Sequence, residues 1–208
     1  MNNPFGKDAF TYLTVERESH AEFIDRGSRF IGYAFPLSSE EAFKDRMKGL
    51  TREHPKAVHH CFAYRIGLEG IRFRSGDDGE PAGSAGKPIL GQIDSRGLTD
   101  TAVIVVRYFG GTLLGVPGLI NAYKNAAALA LQVARAVEKS IEDQYDLEFD
   151  YTLVNEVMMV IKRHSCSVMK QEMQLFCHFR VGIPRRSRDA CLRQFGNIHG
   201  VSVNATRP

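Results

Sequence analysis

The sequence predicts an α+β protein of two domains, and three observations carry that prediction. The chain has 208 residues, enough for two modest domains that each bury a core. An alanine-rich helical run gives way to alternating charge at 138–142 (EKSIE), which places the boundary between residues 1–138 and 139–208. Beyond it the pattern reads strand, helix, strand, strand, helix, strand, the split-βαβ order of a ferredoxin-like domain.

In the first domain, 11–18 (TYLTVERE) and 29–37 (RFIGYAFPL) read as a strand pair. A helix follows, opened by Ser38 with Glu41 three residues on, the capping-box pattern. Phe43, Met47 and Leu50 give it an apolar face, and His54-Pro55 ends it. Strands are expected at 57–66 (AVHHCFAYRI) and 71–74, with a turn at Gly67–Gly70 between them. Residues 75–91 (SGDDGEPAGSAGKPILG) form a glycine- and proline-rich turn that passes into a helix near Pro88. The run 101–109 (TAVIVVRYF) is β-branched almost throughout and reads as a strand buried on both faces. After Pro117 a mostly buried helix reaches to about Val137, with Leu119, Tyr123, Ala127, Ala130 and Ala134 inward. The second domain reads as strand 144–151, helix 152–164, strands 166–171 and 174–182, helix 184–195 and strand 198–204.

Composition narrows the function classes. Hydrophobic residues at 43% and charged residues at 25% fit a globular chain. No apolar stretch approaches the roughly 20 residues of a membrane-spanning helix, and MNNPFGKDAF lacks the parts of a signal peptide. A cytoplasmic protein without a membrane partner is therefore expected. Cys61, Cys166, Cys177 and Cys191 form no CxxC pair and show no repeated spacing, so no metal, redox motif or disulfide is expected. Cys177 and Cys191 fall in apolar patterns as small core residues. The net charge is +3. Residues 1–138 carry 17 Lys/Arg against 16 Asp/Glu and residues 139–208 carry 10 against 8, which gives +1 and +2. Phosphate contact must then come from a local cluster.

Two strand-to-helix junctions are rich in glycine: 76–87 (GDDGEPAGSAGK) and 107–115 (RYFGGTLLG). Glycine lets a ligand approach the main chain closely, and free N–H groups ahead of a helix make an anion site. Neither junction matches a Walker or dinucleotide fingerprint, since Pro81 stands where a Walker loop needs glycine. The alternative is that the glycines only let helix pack tightly on sheet. Gly83, Ser84, Gly86, Lys87, Arg107, Gly110 and Gly111 are the candidate anion-binding residues.

GDDGEPAGSAGKPIL, VIVVRYFGGTLLG and GLINAYKNA, with SRFIGYA and HHCFAYR before them, resemble the IMPACT family, whose bacterial members are of the YigZ type. The resemblance spans roughly residues 11–137, and the trailing βαββαβ unit is similar to the small C-terminal domain of those bacterial members. Pro117 departs from the pattern, which usually has glycine there. The resemblance implies a first domain with the fold of ribosomal protein S-five and of elongation factor G domain IV, and a second domain similar to domain V of that factor. It implies a translational role, because eukaryotic members are translational regulators in amino-acid starvation. It implies contact with RNA, the ribosome or a translation factor, and it implies no reaction.

The residues that invite chemistry have quieter readings beside the sharp ones. Asp77 and Asp78 read first as groups that hydrogen-bond the turn backbone and Glu80 as a cap or the partner of a nearby arginine; the alternative is a magnesium or general-base cluster. On a strand His60 shares the core face with Val58, Phe62 and Tyr64, which leaves His59 and Cys61 together on the other. That pair lacks a third orienting group. Arg107 is either a buried partner of Asp77 or Asp78, or a phosphate clamp. In strand 144–151, Tyr145, Leu147, Phe149 and Tyr151 alternate with Asp146, Glu148 and Asp150, an acidic open face unsuited to RNA. Pro184 opens the next helix and puts Arg185, Arg186 and Arg188 in its first turns, where cations are disfavoured. Those three are the candidate nucleic-acid contacts, with neutralisation by Asp189 as the alternative. No catalytic residue, metal or cofactor is assigned. The expected function is a non-enzymatic regulator that contacts RNA, the ribosome or another phosphate-bearing partner. The alternative is a small-molecule enzyme acting on a phosphorylated substrate at the two turns.

Overall fold

The computed structural model describes residues 8–69 and 71–206. Gly70, the last residue of the expected 67–70 turn, lies outside them, as does most of the MNNPFGKDAF segment. The chain divides into two compact units between Lys139 and Ser140.

In the first unit the strands are β1 (Thr11–Val15), β2 (Ser19–Asp25), β3 (Ser28–Pro36), β4 (His59–Ile66), β5 (Arg72–Gly76), β6 (Thr101–Tyr108) and β7 (Ala136–Ser140). The helices are α1 (Glu40–Glu53), α2 (Gly86–Asp94) and α3 (Gly115–Val133). An antiparallel sheet runs β2-β3-β6-β4-β5, and β1 pairs with β7 apart from it. The β-branched run of β6 lies at the centre of the five strands, and its alternate residues enter two cores. Val103 and Val105 meet Phe30, Ala34, Cys61 and the faces of α2 and α3. Ala102, Ile104 and Val106 meet Ile31, Phe35, Tyr64 and the Phe43 and Leu50 face of α1. A strand between two helical layers is apolar at every position for that reason.

Helix α3 sits very close to the sheet. Its inner face carries Ala122, Ala126, Ala127 and Ala130, all fully buried, and strand β3 meets it with Gly32. A Cβ at Gly32 would lie 2.6 Å from the Ala126 carbonyl oxygen and 3.1 Å from Ala130 Cβ. Its outer face stays open, with Val116, Ile120 and Val133 exposed, so the helix is less buried than its sequence suggests.

Several expectations are corrected. The 11–18 segment does not pair with 29–37; strand β2 does, through a tight turn in which Arg26 (φ 46°) and Gly27 (φ 79°) are both left-handed. Both central residues of a primed hairpin turn take that geometry, which matches the strand twist. The cap of α1 is Ser39, whose hydroxyl accepts from Ala42 N–H, so the Ser38–Glu41 box is not the one used. Helix α3 ends at Val133 and Arg135 turns left-handed (φ 54°), which frees 136–140 to form β7. Val58 is exposed ahead of β4, and Cys61 is fully buried. Both faces of β4 are therefore core.

The second unit contains β8 (Glu142–Asp150), α4 (Val154–Arg163), β9 (Ser167–Glu172), β10 (Phe176–Pro184), α5 (Arg188–Gly196) and β11 (Ser202–Ala205). The antiparallel order β11-β8-β10-β9 is that of a ferredoxin-like domain. Leu147, Phe149, Phe179, Val181 and Ile183 pack beneath α4 and α5. On the open face Arg180 pairs with Asp146 at 2.8 Å and His178 Nε2 lies 3.8 Å from Glu148, so the acidic stripe is partly offset. Tyr151 lies in a 3-10 turn and is exposed, because Asp150 takes the N–H of Thr152 and ends the strand. Pro184 closes β10, and a 3-10 turn over Arg185–Ser187 precedes α5. Of the three arginines only Arg188 stands in the α-helix, as its first residue.

The architecture is α+β, with a five-stranded antiparallel sheet between helical layers in the first unit and a ferredoxin-like second unit. Gly32→Ala should destabilise the chain by about 1–3 kcal/mol, the usual cost of overpacking; a urea midpoint equal to wild type would show that α3 yields. Residues 140–208 produced alone should melt in one cooperative transition, since that unit has its own core. A non-cooperative melt would show that the unit is not a domain.

Candidate functional site

The two glycine-rich junctions lie at one end of the strands of the five-stranded sheet. Strand register places the start of β4 beside the end of β6, with His59 opposite Arg107, and Phe62 of β4 opposite Gly76 at the end of β5. The 77–85 loop leaves that end to enter α2, and the 109–114 turn leaves it to enter α3.

The first loop is closed by its own acid. Asp77 accepts from Gly83 N–H (2.8 Å), Ala85 N–H (3.0 Å) and Gly86 N–H (2.8 Å). Burial alone would raise this carboxyl, but the amides outweigh it and hold Asp77 below the usual carboxylate range. Helix α2 has no capping side chain at the adjacent residue, so Asp77 is the anion at its positive end. Asp78, left-handed at φ 43°, accepts from His60 N–H through its carboxylate (2.6 Å), and its carbonyl accepts from His59 Nδ1 (2.6 Å). Gly86 must be glycine, because a Cβ there would lie 2.8 Å from the backbone nitrogen of Gly76.

Beneath the loop lies a buried polar knot. Glu80 accepts from Arg107 and, at 2.7 Å, from the Tyr123 hydroxyl. The Glu80 and Arg107 side chains are 4% and 7% exposed, so this is a buried pair. The guanidinium also lies over the rings of Phe30 (5.3 Å) and Phe109 (5.7 Å). His59 Nε2 stands 3.8 Å from Glu80. Cys61 donates its thiol hydrogen to the Asp77 carbonyl at 3.0 Å, and burial pushes that thiol up to about 12. Burial likewise raises Tyr123, with the neighbouring Cys61 adding to it. Neither group is a nucleophile near neutral pH.

The candidate anion residues therefore fare differently. The Gly83 and Gly86 amides are taken by Asp77. Arg107 pairs with Glu80, and with neither Asp77 nor Asp78. Gly110 N–H donates to the Ser28 hydroxyl at 3.1 Å, and a Cβ on Gly110 would sit 2.0 Å from the Gly27 carbonyl carbon. Ser84 is fully buried, while Lys87 and Gly111 are exposed. Pro117 lies in the first turn of α3, where its missing N–H costs nothing. In the second unit Arg185 and Arg188 share Asp143 (2.8 and 3.4 Å), and Arg188 also meets Asp189 at 3.1 Å. Asp143 carries no signal in the sequence; only strand pairing brings it opposite Ile183. The sequence pattern marks Tyr123 as apolar core, yet a buried tyrosine needs a hydroxyl partner, and that signal points to a polar group nearby. Among the described residues no three His, Cys, Asp or Glu side chains converge as metal ligands.

These features define a glycine-locked α+β domain followed by a ferredoxin-like domain. The Impact N-terminal domain family matches residues 26–131. The IMPACT family member YigZ of Escherichia coli is 35% identical over 159 residues, 76% of this chain and 78% of its own length. An IMPACT family member of Haemophilus influenzae is 33% identical over 165 residues, 78% and 80% of the two chains. A crystal structure of a hypothetical protein superposes with a TM-score of 0.74 at 28% identity, over 95% of this chain and 98% of that one. The chain belongs to the IMPACT family.

Asp77→Asn should cost about 1–3 kcal/mol at neutral pH through under-satisfied loop amides. A carboxyl with a lowered folded pKa contributes stability above its unfolded value near 4 and loses it as pH falls. The gap between wild type and variant should therefore close in acid, and a pH-independent gap would show that charge does not hold the loop. Glu80→Gln should cost about 3–5 kcal/mol, because Arg107 is left buried and uncompensated. Replacing both Glu80 and Arg107 with methionine should recover most of it. A loss under about 1 kcal/mol for the single variant would mean that the pair behaves as an exposed one.

Proposed function

We propose that this chain is a non-enzymatic regulator of translation that contacts RNA or the ribosome through Arg185, Arg186 and Arg188. The observation that carries the non-enzymatic part is the closed knot. The acids and the thiol there are engaged inside the protein: Asp77 on loop amides, Glu80 on Arg107 and Tyr123, and Cys61 on a carbonyl with its thiol pushed up to about 12. A phosphorylated substrate at the two turns would have to displace the Asp77 carboxylate and the Glu80–Arg107 pair, so catalysis stands second.

Family membership supports the translational part, since eukaryotic members of the IMPACT family are translational regulators. In this basic cluster the carboxylates of Asp143 and Asp189 hold Arg185 and Arg188 without burying them. Arg185 and Arg188 remain 46% and 44% exposed. A guanidinium carries five donors in a planar fork, more than a shared carboxylate takes up.

Replacing all three arginines with glutamine should change stability by less than about 1 kcal/mol, since exposed pairs contribute little. RNA affinity should fall. The slope of log affinity against log salt should drop by about 0.7 for each single-strand phosphate that the protein no longer neutralises. Capture from lysate with and without nuclease separates RNA from a protein partner. Unchanged RNA affinity in the triple variant would overturn the assignment.

A further inference from the structure

Two cysteines of the second unit, far apart in sequence and absent from the function above, are close in space. Cys166 lies between α4 and β9, and Cys191 lies in α5. Their sulfur atoms are 3.5 Å apart across a sequence separation of 25 residues. A disulfide bond is about 2.05 Å long, so the sulfurs need to approach by only about 1.5 Å. The connection that carries Cys166 is held from both sides. Ser165 takes a left-handed φ of 53°, and Cys166 N–H donates to the Ile161 carbonyl at 2.9 Å. Cys191 is anchored in the core with Phe179 and Phe195.

We propose that Cys166 and Cys191 are an oxidisable dithiol that hydrogen peroxide closes to an intramolecular disulfide, with Cys166 reacting first and Cys191 resolving. In the first step the Cys166 sulfur takes a hydroxyl from peroxide. The S–O bond forms, the O–O bond breaks, and the departing hydroxide takes the thiol proton to become water. In the second step the Cys191 sulfur attacks the Cys166 sulfur. The S–S bond forms, the S–O bond breaks, and the hydroxyl leaves with the Cys191 proton as a second water. Two thiols are oxidised and one peroxide is reduced.

Exposure and environment assign the order. Cys166 is half-buried, whereas Cys61, Cys177 and Cys191 are buried. The hydrogen bond between the two sulfurs holds the Cys166 thiol below its ordinary range, and thiolate character governs attack on peroxide. The same bond is the main cause that raises Cys191. Oxidation of Cys166 removes the thiolate that raises it, which frees Cys191 to resolve. The remaining thiols are differently placed: Cys177 donates to the Gln174 carbonyl at 3.6 Å, and Cys61 sits in the first unit on the Asp77 carbonyl.

The test treats the reduced full-length chain with hydrogen peroxide, then alkylates it in denaturant and measures its mass. The expected product has lost two hydrogens, joins the peptides that contain Cys166 and Cys191, keeps Cys61 and Cys177 alkylated, and returns to the starting mass with dithiothreitol. Cys191→Ser should stop at a Cys166 sulfenic acid that dimedone traps, while Cys177→Ser should behave as wild type. Because the wild-type mass is itself decisive, the inference does not depend on how well a variant folds. Four free alkylated thiols after treatment, a disulfide between chains, or a lasting dimedone adduct on the wild-type chain would each overturn it. The outcome is independent of RNA binding.

Discussion

A strand buried on both faces must settle every charge near its end inside the protein, and strand β6 ends in arginine. Val103 and Val105 face one core and Ile104 and Val106 the other, so Arg107 arrives at the end of the strand with no water on either side to receive it. The pairing with Glu80 answers that constraint, and much of the first unit is arranged around it. Glu80 reaches Arg107 only if the 77–85 loop folds back over the strand ends, and the loop folds back because Asp77 gathers its Gly83 and Ala85 amides with that of Gly86. Tyr123 completes the set from α3, whose alanine face allows it to lie against Gly32. Removal of one carboxylate therefore disturbs a strand, a loop and a helix together.

This explains why the loop resembles a phosphate site without matching one. The glycines at 83 and 86 expose amides ahead of a helix, as an anion site requires, and the chain supplies the anion. The second turn follows the same rule: Gly110 approaches Gly27 so closely that a side chain is excluded, and its amide is taken by Ser28. Glycine in these turns serves contact between backbones. Arg185 and Arg188, by contrast, are paired on Asp143 yet open to solvent.

Much of the fold was legible because burial writes a period into sequence. The β-branched run at 101–109, the inner face of α3 and the βαββαβ order each left a pattern that one chain suffices to reveal. Strand β2 left almost none, since an edge strand with His20, Glu22 and Ile24 outward resembles a loop. Strand β7 was hidden by helix-favouring alanines that run up to Arg135. The site was less legible, because its relations are tertiary. Asp77, Glu80 and Arg107 all stand out in the sequence, but which carboxylate meets the arginine depends on how the 77–85 loop folds. The Cys166–Cys191 approach was invisible for the same reason: helix α5 brings them together across 25 residues.

The outer strands of both sheets carry a further consequence. Strand β5 has five residues, and its Arg72 and Arg74 are exposed; strand β9 presents Lys170 and Glu172 beside an irregularity in its pairing with β10. A free strand edge is a template on which another chain can add itself, and short, charged or distorted edges make that addition unfavourable. On β5 and β9 the charges and the irregular pairing therefore disfavour such an addition.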